Sequence, residues 1–231
     1  MNTENSNWKL LESGKCAAGF NMAMDEALME LAPEVGVPVL RFYGWTEPAA
    51  TFGYSQKYTF IEQVTRLRPL IRRPTGGGLV PHDADWTYSL AFPPSHEWYG
   101  LKAVESYKRV HEWIRDAFAL MKVETSLAPV SKKDAPGQCF IGAEKSDVLW
   151  HGHKIAGAAQ RRSKQGLLIQ GSVQPPPVKL SREAWEKAML SVAEKQFGVH
   201  WEHIQSDARL SDEATRLARE KYTLDSFNKG R

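Results

Sequence analysis

The sequence predicts an α/β fold: short strands and amphipathic helices sharing one core. Three observations carry that prediction. Runs of four to eight β-branched, aromatic and aliphatic residues recur along the chain, bounded by glycine and proline. Between them lie longer stretches whose apolar residues return every three or four positions, the period of a helix face. A chain of 231 residues with 42% hydrophobic content can bury one substantial core, and it is read as a single domain over 1–231 with a helical C-terminal part from 178.

Taken in order, Trp8 to Leu11 reads as a short strand, and Gly14 and Gly19 bracket a turn before Asn21, a fitting N-cap for the helix NMAMDEALMEL. Met24, Leu28 and Leu31 lie on the buried face of that helix, with Met22 and Met29 beside them. Asp25 and Glu26 are adjacent, so they point in different directions and are expected to be solvated or to orient the helix. Val37 to Trp45 and Ala49 to Tyr54 read as two strands joined at Glu47-Pro48, with Arg41, Tyr43 and Trp45 alternating onto one face. A short helix is expected over 58–67. Leu101 to Met121 is a strong amphipathic helix that should pack Val104, Tyr107, Val110, Ile114, Phe118 and Met121 on the sheet.

Residues 125–138 read as a loop that delivers Cys139. Asp147 to Trp150 and Lys154 to Ala156 flank a His151-Gly152-His153 turn, and Leu167 to Val173 is a further strand. Two histidines two apart invite a metal, but no third ligand lies nearby at metal-site spacing, and an exposed turn is the commoner reading; no metal is expected. After the rigid Pro175-Pro176-Pro177, Ser181 caps a helix that buries Trp185, Ala188, Met189 and Val192 and stops at Gly198. A last helix is expected near 211–222.

Charge and composition exclude several classes. The balance of 30 basic and 27 acidic residues gives +3, and no basic cluster is large enough to predict a nucleic-acid partner. No stretch approaches the roughly 18 apolar residues of a membrane span, and the first residues do not read as a secretion signal, so a cytoplasmic protein is expected. Two cysteines, Cys16 and Cys139, cannot build a disulfide framework; a reducing compartment follows, in which a lone thiol can be reactive.

The stretch PLIRRPTGGGLVPHDADWTYSLAF at 69–92 is the centre of the functional reading. Three glycines in a row remove three Cβ atoms, so backbone can pass against a ligand and present N–H groups to it. Apolar runs on both sides make this a held loop and not a linker, although a glycine-rich hairpin with two surface arginines is the bland alternative. Of Arg72 and Arg73, at least one should face the loop. Lys154 begins a strand followed by Ala156, Gly157, Ala158 and Ala159, whose small size leaves space beside its ammonium.

Four ordered blocks carry a family resemblance over nearly the whole chain: NMAMDEAL at 21–28, LRFYGW at 40–45, RRPTGGG followed by valine and His-Asp at 72–83, and KIAGAAQ at 154–160. The chain resembles the lipoate-protein ligase and octanoyltransferase family, whose catalytic fold is shared with biotin protein ligases. That resemblance implies a mixed sheet packed against helices, with the glycine segment lining an acyl pocket. It also implies an activity: placing an octanoyl or lipoyl group on one lysine of a lipoyl domain, in a 2-oxoacid dehydrogenase or the glycine-cleavage H protein. Lys154 stands at the lysine of the K-x-x-G motif, which contacts the acyl carbonyl or carboxyl. Matching positions assign binding roles to Arg41, Tyr43, Arg72, Arg73 and Thr75. The same carry-over includes Gly76, Gly77, Gly78 and His82, and Gly157, Ala159 and Gln160.

Such an activity needs an apolar slot, which Tyr43, Trp45 and the strands at 87–92 and 167–173 could supply, and positive charge with N–H donors where oxyanion charge develops. Two mechanisms are compatible with it. In the cysteine-type octanoyltransferases a catalytic cysteine precedes the motif lysine by fifteen residues and is followed by phenylalanine, as Cys139 and Phe140 do here. Cys139 would then take octanoyl from an acyl carrier protein as a thioester, with no ATP, and should titrate below the ordinary thiol value of about 8.5. In the alternative, ATP and Mg activate lipoate as lipoyl-AMP, with Gly78 and Asp147 at the nucleotide. Gly78 completes a triple glycine as in ligases, where cysteine-type transferases usually carry arginine. A non-catalytic module that binds lipoyl domains or acyl carriers is the reading from another class, and biotin ligation a further one.

Overall fold

The computed structural model describes residues 7–132 and 142–230. In chain order its elements are β1 Asn7–Cys16, α1 Ala18–Glu30, α2 Ala32–Val35, β2 Val39–Trp45, β3 Ala49–Phe52, α3 Tyr58–Val64, β4 Leu70–Arg72, β5 Val80–His82 and β6 Trp86–Phe92. There follow α4 Glu97–Gly100, α5 Ala103–Leu120, β7 Ser126–Leu127, β8 Val148–Trp150, β9 His153–Arg162 and β10 Leu167–Val173. The last are α6 Arg182–Phe197, β11 His200–Ile204, α7 Ala208–Leu217 with a π-helical turn at Ala218–Tyr222, and α8 Asp225–Lys229. Among the described residues no helix is long and apolar enough to cross a membrane.

Eight strands form one mixed sheet in the order β11-β1-β2-β6-β10-β9-β8-β7, parallel where β1 meets β11 and β2 and antiparallel beyond. Alternation along the central strands sorts side chains onto two faces. Leu40 and Phe42 of β2 and Ile169 and Val173 of β10 face α5 and α6, in a core with Trp113, Ile114, Phe118 and Trp185. Val39 and Tyr43 face the other way, onto α1 and α7. Strands β6 and β10 are buried throughout, which is why their sequences show near-continuous burial-compatible runs. A second sheet, β4-β3-β5, stands beside the first.

Several boundaries differ from expectation, each for a local reason. Strand β1 runs on to Cys16, past a register shift between Glu12 and Lys15 that contains the left-handed Gly14. Asn21 is therefore not a cap but sits buried inside α1, donating to the carbonyls of Cys16 and Gly44 and so tying the β1–α1 corner to β2. The flanks of the glycine segment belong to different sheets, β4 to the small one and β6 to the large one, with β5 between them. Val104, expected on the sheet, is 75% exposed, and the buried side of the first turns of α5 carries Ser106 and Val110 instead. Strand β11 escaped notice because HWEHI shows little burial; it lies at the sheet edge, pairing Trp201 with Trp8. By contrast α6 is capped by Ser181, whose Oγ accepts from Ala184 N at 3.1 Å, and ends at left-handed Gly198, as read from sequence.

Candidate active site

A half-open slot of about 440 Å³, counting the solvent space at its mouth, lies between the two sheets and α1. Met22 of α1, Tyr43 of β2, Val80 and His82 of β5, Lys154 and Gly157 to Ala159 of β9 and Gln170 to Ser172 of β10 are among its walls. It exists because the small sheet stands off the large one and because β9 and β10 offer small or short residues where they face it.

Its floor is a charged hub. Asp25, expected at the surface, is fully buried. Its Oδ1 accepts from Arg41 Nη1 at 2.7 Å and Ser89 Oγ at 2.6 Å, and its Oδ2 from Tyr43 Oη at 2.9 Å and Gln170 Nε2 at 2.7 Å. Burial, then the Asp25 carboxylate, hold the Tyr43 phenol well above its ordinary pKa, so it remains a donor. Glu26, the adjacent acid, is buried on the far side of the helix, where it accepts from Lys221, Tyr222 and Arg161. One turn of α1 thus braces the slot floor with one carboxylate and the C-terminal turn with the next.

One wall is a polar chain. Arg73 donates through Nη2 to the carbonyls of Gly76 and Gly78 at 2.9 and 2.8 Å, and through Nη1 to Thr51 Oγ1 at 2.9 Å. Thr51 Oγ1 lies 2.8 Å from His82 Nε2, and His82 Nδ1 lies 2.8 Å from Asp85 Oδ2. A carboxylate only accepts, so the ring donates to Asp85 from a protonated Nδ1. Trp45 stacks on this ring at 3.9 Å. The glycine run needs its freedom where Gly77 adopts φ +87° and where Gly53 approaches so closely that a Cβ there would meet Gly77 O at 1.9 Å.

The remaining wall carries the cation. Between Val148 and Leu149 the β8 register jumps from Ala156 to Lys154 of β9, leaving Ile155 as an extra residue. That bulge reverses the alternation and brings Lys154 onto the face of Gly157. Its ammonium lies 2.7 Å from Asp147 Oδ2, with side-chain exposures of 6% and 0%. A Cβ on Gly157 would meet Lys154 Cε at 2.6 Å and Nζ at 2.7 Å, so only glycine leaves room for it. Asp147 also accepts from Glu144 N at 2.7 Å and from the Tyr107 hydroxyl.

Of the residues assigned from sequence, Tyr43, Arg73, His82, Lys154, Gly157 and Ala159 meet at the slot. Thr75 borders it, donating to Gln170 Oε1 at 2.7 Å, and Gly76 to Gly78 stand behind Arg73. Three assigned residues, Arg41, Arg72 and Gln160, lie away from the slot lining. Arg41 is buried beneath the floor, donating to Ser13, Asn21 and Asp25. Arg72 points away from Arg73, as alternation requires, and donates to the carbonyls of Tyr54, Gln56, Phe227 and Asn228. Gln160 clamps the start of α5, bonding Ala103 O and Ser106 Oγ. Cys139 lies outside the described residues, and His151 and His153 are exposed at their hairpin tip. Sequence reasoning missed Asp25, Thr51, Asp85 and Gln170; the one available signal was polar residues interrupting apolar strands.

A lipoyl protein ligase A/B catalytic domain model matches residues 17–193, a span that contains every residue of the slot. The chain belongs to that family. Octanoyltransferases LipM of Anoxybacillus flavithermus and Bacillus subtilis are each 33% identical to it, over 180 and 179 residues. Each match spans 72% of this chain and 64% of the relative, just under two thirds of the relative's length. Among solved structures, a bipartite lipoate protein ligase of Thermoplasma acidophilum, described together with its E2 lipoyl domain, superposes with a TM-score of 0.75 at 17% identity, covering 97% of this chain and 96% of that one. A lipoate-protein ligase A bound with ATP gives 0.78 at 18% identity, covering 98% and 99%. At those identities they show the fold of this family member, the mixed sheet against helices that its sequence implies.

Proposed function

We propose that this chain moves an octanoyl group from the thioester of an acyl carrier protein to a lysine of a lipoyl domain, through a thioester on Cys139 and without ATP. The observation that carries the reading is the Lys154 ammonium, set into the wall of a largely apolar slot and aimed by a buried carboxylate. An eight-carbon acyl chain suits such a slot, and its carbonyl needs a cation beside it. The octanoyltransferase relatives support the same choice.

The steps follow from that placement. The Cys139 thiolate attacks the donor carbonyl carbon, and the charge gathering on oxygen is met by Lys154. Collapse of the tetrahedral adduct expels the carrier thiolate and leaves an acyl-cysteine. The acceptor lysine, as a free amine, attacks the same carbonyl, loses a proton and releases the Cys139 thiolate, so the amide forms as the thioester breaks. Acceptors would be lipoyl domains of 2-oxoacid dehydrogenases or the glycine-cleavage H protein.

The ATP-dependent reading asks Asp147 to approach a metal and phosphates. Here Oδ1 accepts from Tyr107, and Oδ2 from Lys154 and Glu144, so this carboxylate fits that task poorly. Intact-mass spectrometry tests the choice. Incubation with octanoyl-acyl carrier protein should add one octanoyl mass, mapped to Cys139 and absent from Cys139→Ser. Lys154→Ala should lower transfer by roughly 10²- to 10³-fold, the cost of one oxyanion donor. If Cys139→Ser still modifies a lipoyl domain when given lipoate and ATP, the ligase mechanism replaces this one. If neither donor yields a modified lysine, the chain is a binding module.

A further inference from the structure

We propose that Asp147, braced by Tyr107, is a positioning residue that holds the Lys154 ammonium over Gly157 so that it meets the acyl carbonyl; this rests on the role of Lys154 given above. A lysine head on a four-carbon stem is a mobile point charge, and a mobile charge stabilises an oxyanion poorly because it must be ordered during the reaction. Three features remove that mobility. The bulge at Ile155 turns the stem toward Gly157, whose bare Cα leaves the ammonium a seat. The Asp147 carboxylate, fully buried, fixes the head at 2.7 Å. That carboxylate is itself fixed, at Oδ1 by the Tyr107 hydroxyl reaching from α5 and at Oδ2 by Glu144 N–H. Burial, then Asp147, push the Tyr107 phenol up, so it stays a donor across the working range. Burying such a pair contributes little net stability, since desolvation offsets most of the attraction, and a positional role accounts for its presence better than a stabilising one.

The test uses the full chain, with octanoyl-acyl carrier protein and a lipoyl domain. Tyr107→Phe should lower kcat roughly 10-fold and Asp147→Asn roughly 100-fold, the scale of a small misplacement of a reacting group. KM for the donor should stay within about twofold, because the contact strengthens only in the transition state. In a Lys154→Ala background Asp147→Asn should cost nothing further, since it acts through the missing group. A separate arm reads Lys154 directly. Acetic anhydride labelling, mapped by peptide mass, should modify Lys154 several-fold faster in Tyr107→Phe and Asp147→Asn than in the wild type. Unchanged kcat in a Tyr107→Phe protein that melts like the wild type overturns the proposal, as does an undiminished Asp147→Asn effect without Lys154. Should Asp147→Asn fail to fold, Tyr107→Phe decides alone. Should the wild type transfer no octanoyl group, the transfer reading fails by itself and the labelling rates decide this one: equal rates overturn it and faster rates uphold it.

Discussion

Two buried ion pairs flank the slot, and they differ in where the cation is aimed. Arg41 on Asp25 is sealed: both side chains are fully buried, and every guanidinium nitrogen donates to protein, at Ser13, Asn21 or Asp25. Lys154 on Asp147 stands at the cavity, its side chain forming part of the slot wall. The first pair locks α1 to β2 and to the strands beside it, since Ser89 of β6 and Gln170 of β10 donate to the same carboxylate. The second locks one ammonium and leaves it facing a cavity. A buried charge can therefore hold elements together or present a field to a ligand, and the geometry of its counter-ion separates the two uses.

The comparison breaks most readily at the floor. Asp25→Ala strips Arg41 of its counter-ion and should lower stability by about 3–5 kcal/mol, the cost of leaving a buried charge unpaired. Urea unfolding measures this, and a loss below about 1 kcal/mol would show that the hub is not a structural lock. Removing the cation at the rim should destabilise less, because Asp147 keeps donors from Tyr107 and Glu144.

Acid should sharpen the contrast next. His111 lies behind the rim, its ring 4.2 Å from Tyr107 and its Nδ1 2.7 Å from Tyr107 O, and burial lowers its pKa to about 4. His96, packed on Trp8 and Phe92, is lowered to about 4 by the same cause. For a histidine depressed from about 6.5, the unfolded chain binds the proton first. Stability is therefore full above pH 6.5 or so and falls by a few kcal/mol as pH drops toward 4. Hydrogen exchange followed by mass spectrometry over that interval should show α5 near Tyr107 losing protection before α1 and β2; simultaneous loss would mean the rim is no weaker than the floor.

The smallest effect isolates the seat of the ammonium. Gly157→Ala puts a methyl where Lys154 Cε and Nζ now lie, and the flexible end of that side chain can give way. Stability should change by under about 1 kcal/mol while transfer falls about 10-fold, a barrier change near 1.4 kcal/mol. Equal stability with undiminished transfer would show that the ammonium works from more than one position.

How much was legible depended on whether a residue's task is local. Helix α6 was readable end to end, because Ser181 and Gly198 act on backbone within their own turns. Gly157 was readable too, since its neighbour Lys154 lies three residues away. Arg72 and Arg73 were not separable: strand alternation sends one to the slot and the other to α8, but which goes where depends on the sheet each faces. Asp25 and Glu26 looked like solvated helix acids because the partners that bury them stand as far off as Gln170 and Tyr222.

By itself the sequence determined the fold class, the longer strands and helices, the glycine segment and the motif lysine with its bare neighbour. Those depend on periodicity, turn chemistry and short spacing, which are properties of neighbouring residues. Tertiary structure alone decided which arginine serves the slot, that Asp25 is its floor and that Asp147 aims its cation. Each of those outcomes needs at least one partner remote in the chain, Thr51 for Arg73, Gln170 for Asp25 and Tyr107 for Asp147, and only folding brings those partners to the charge.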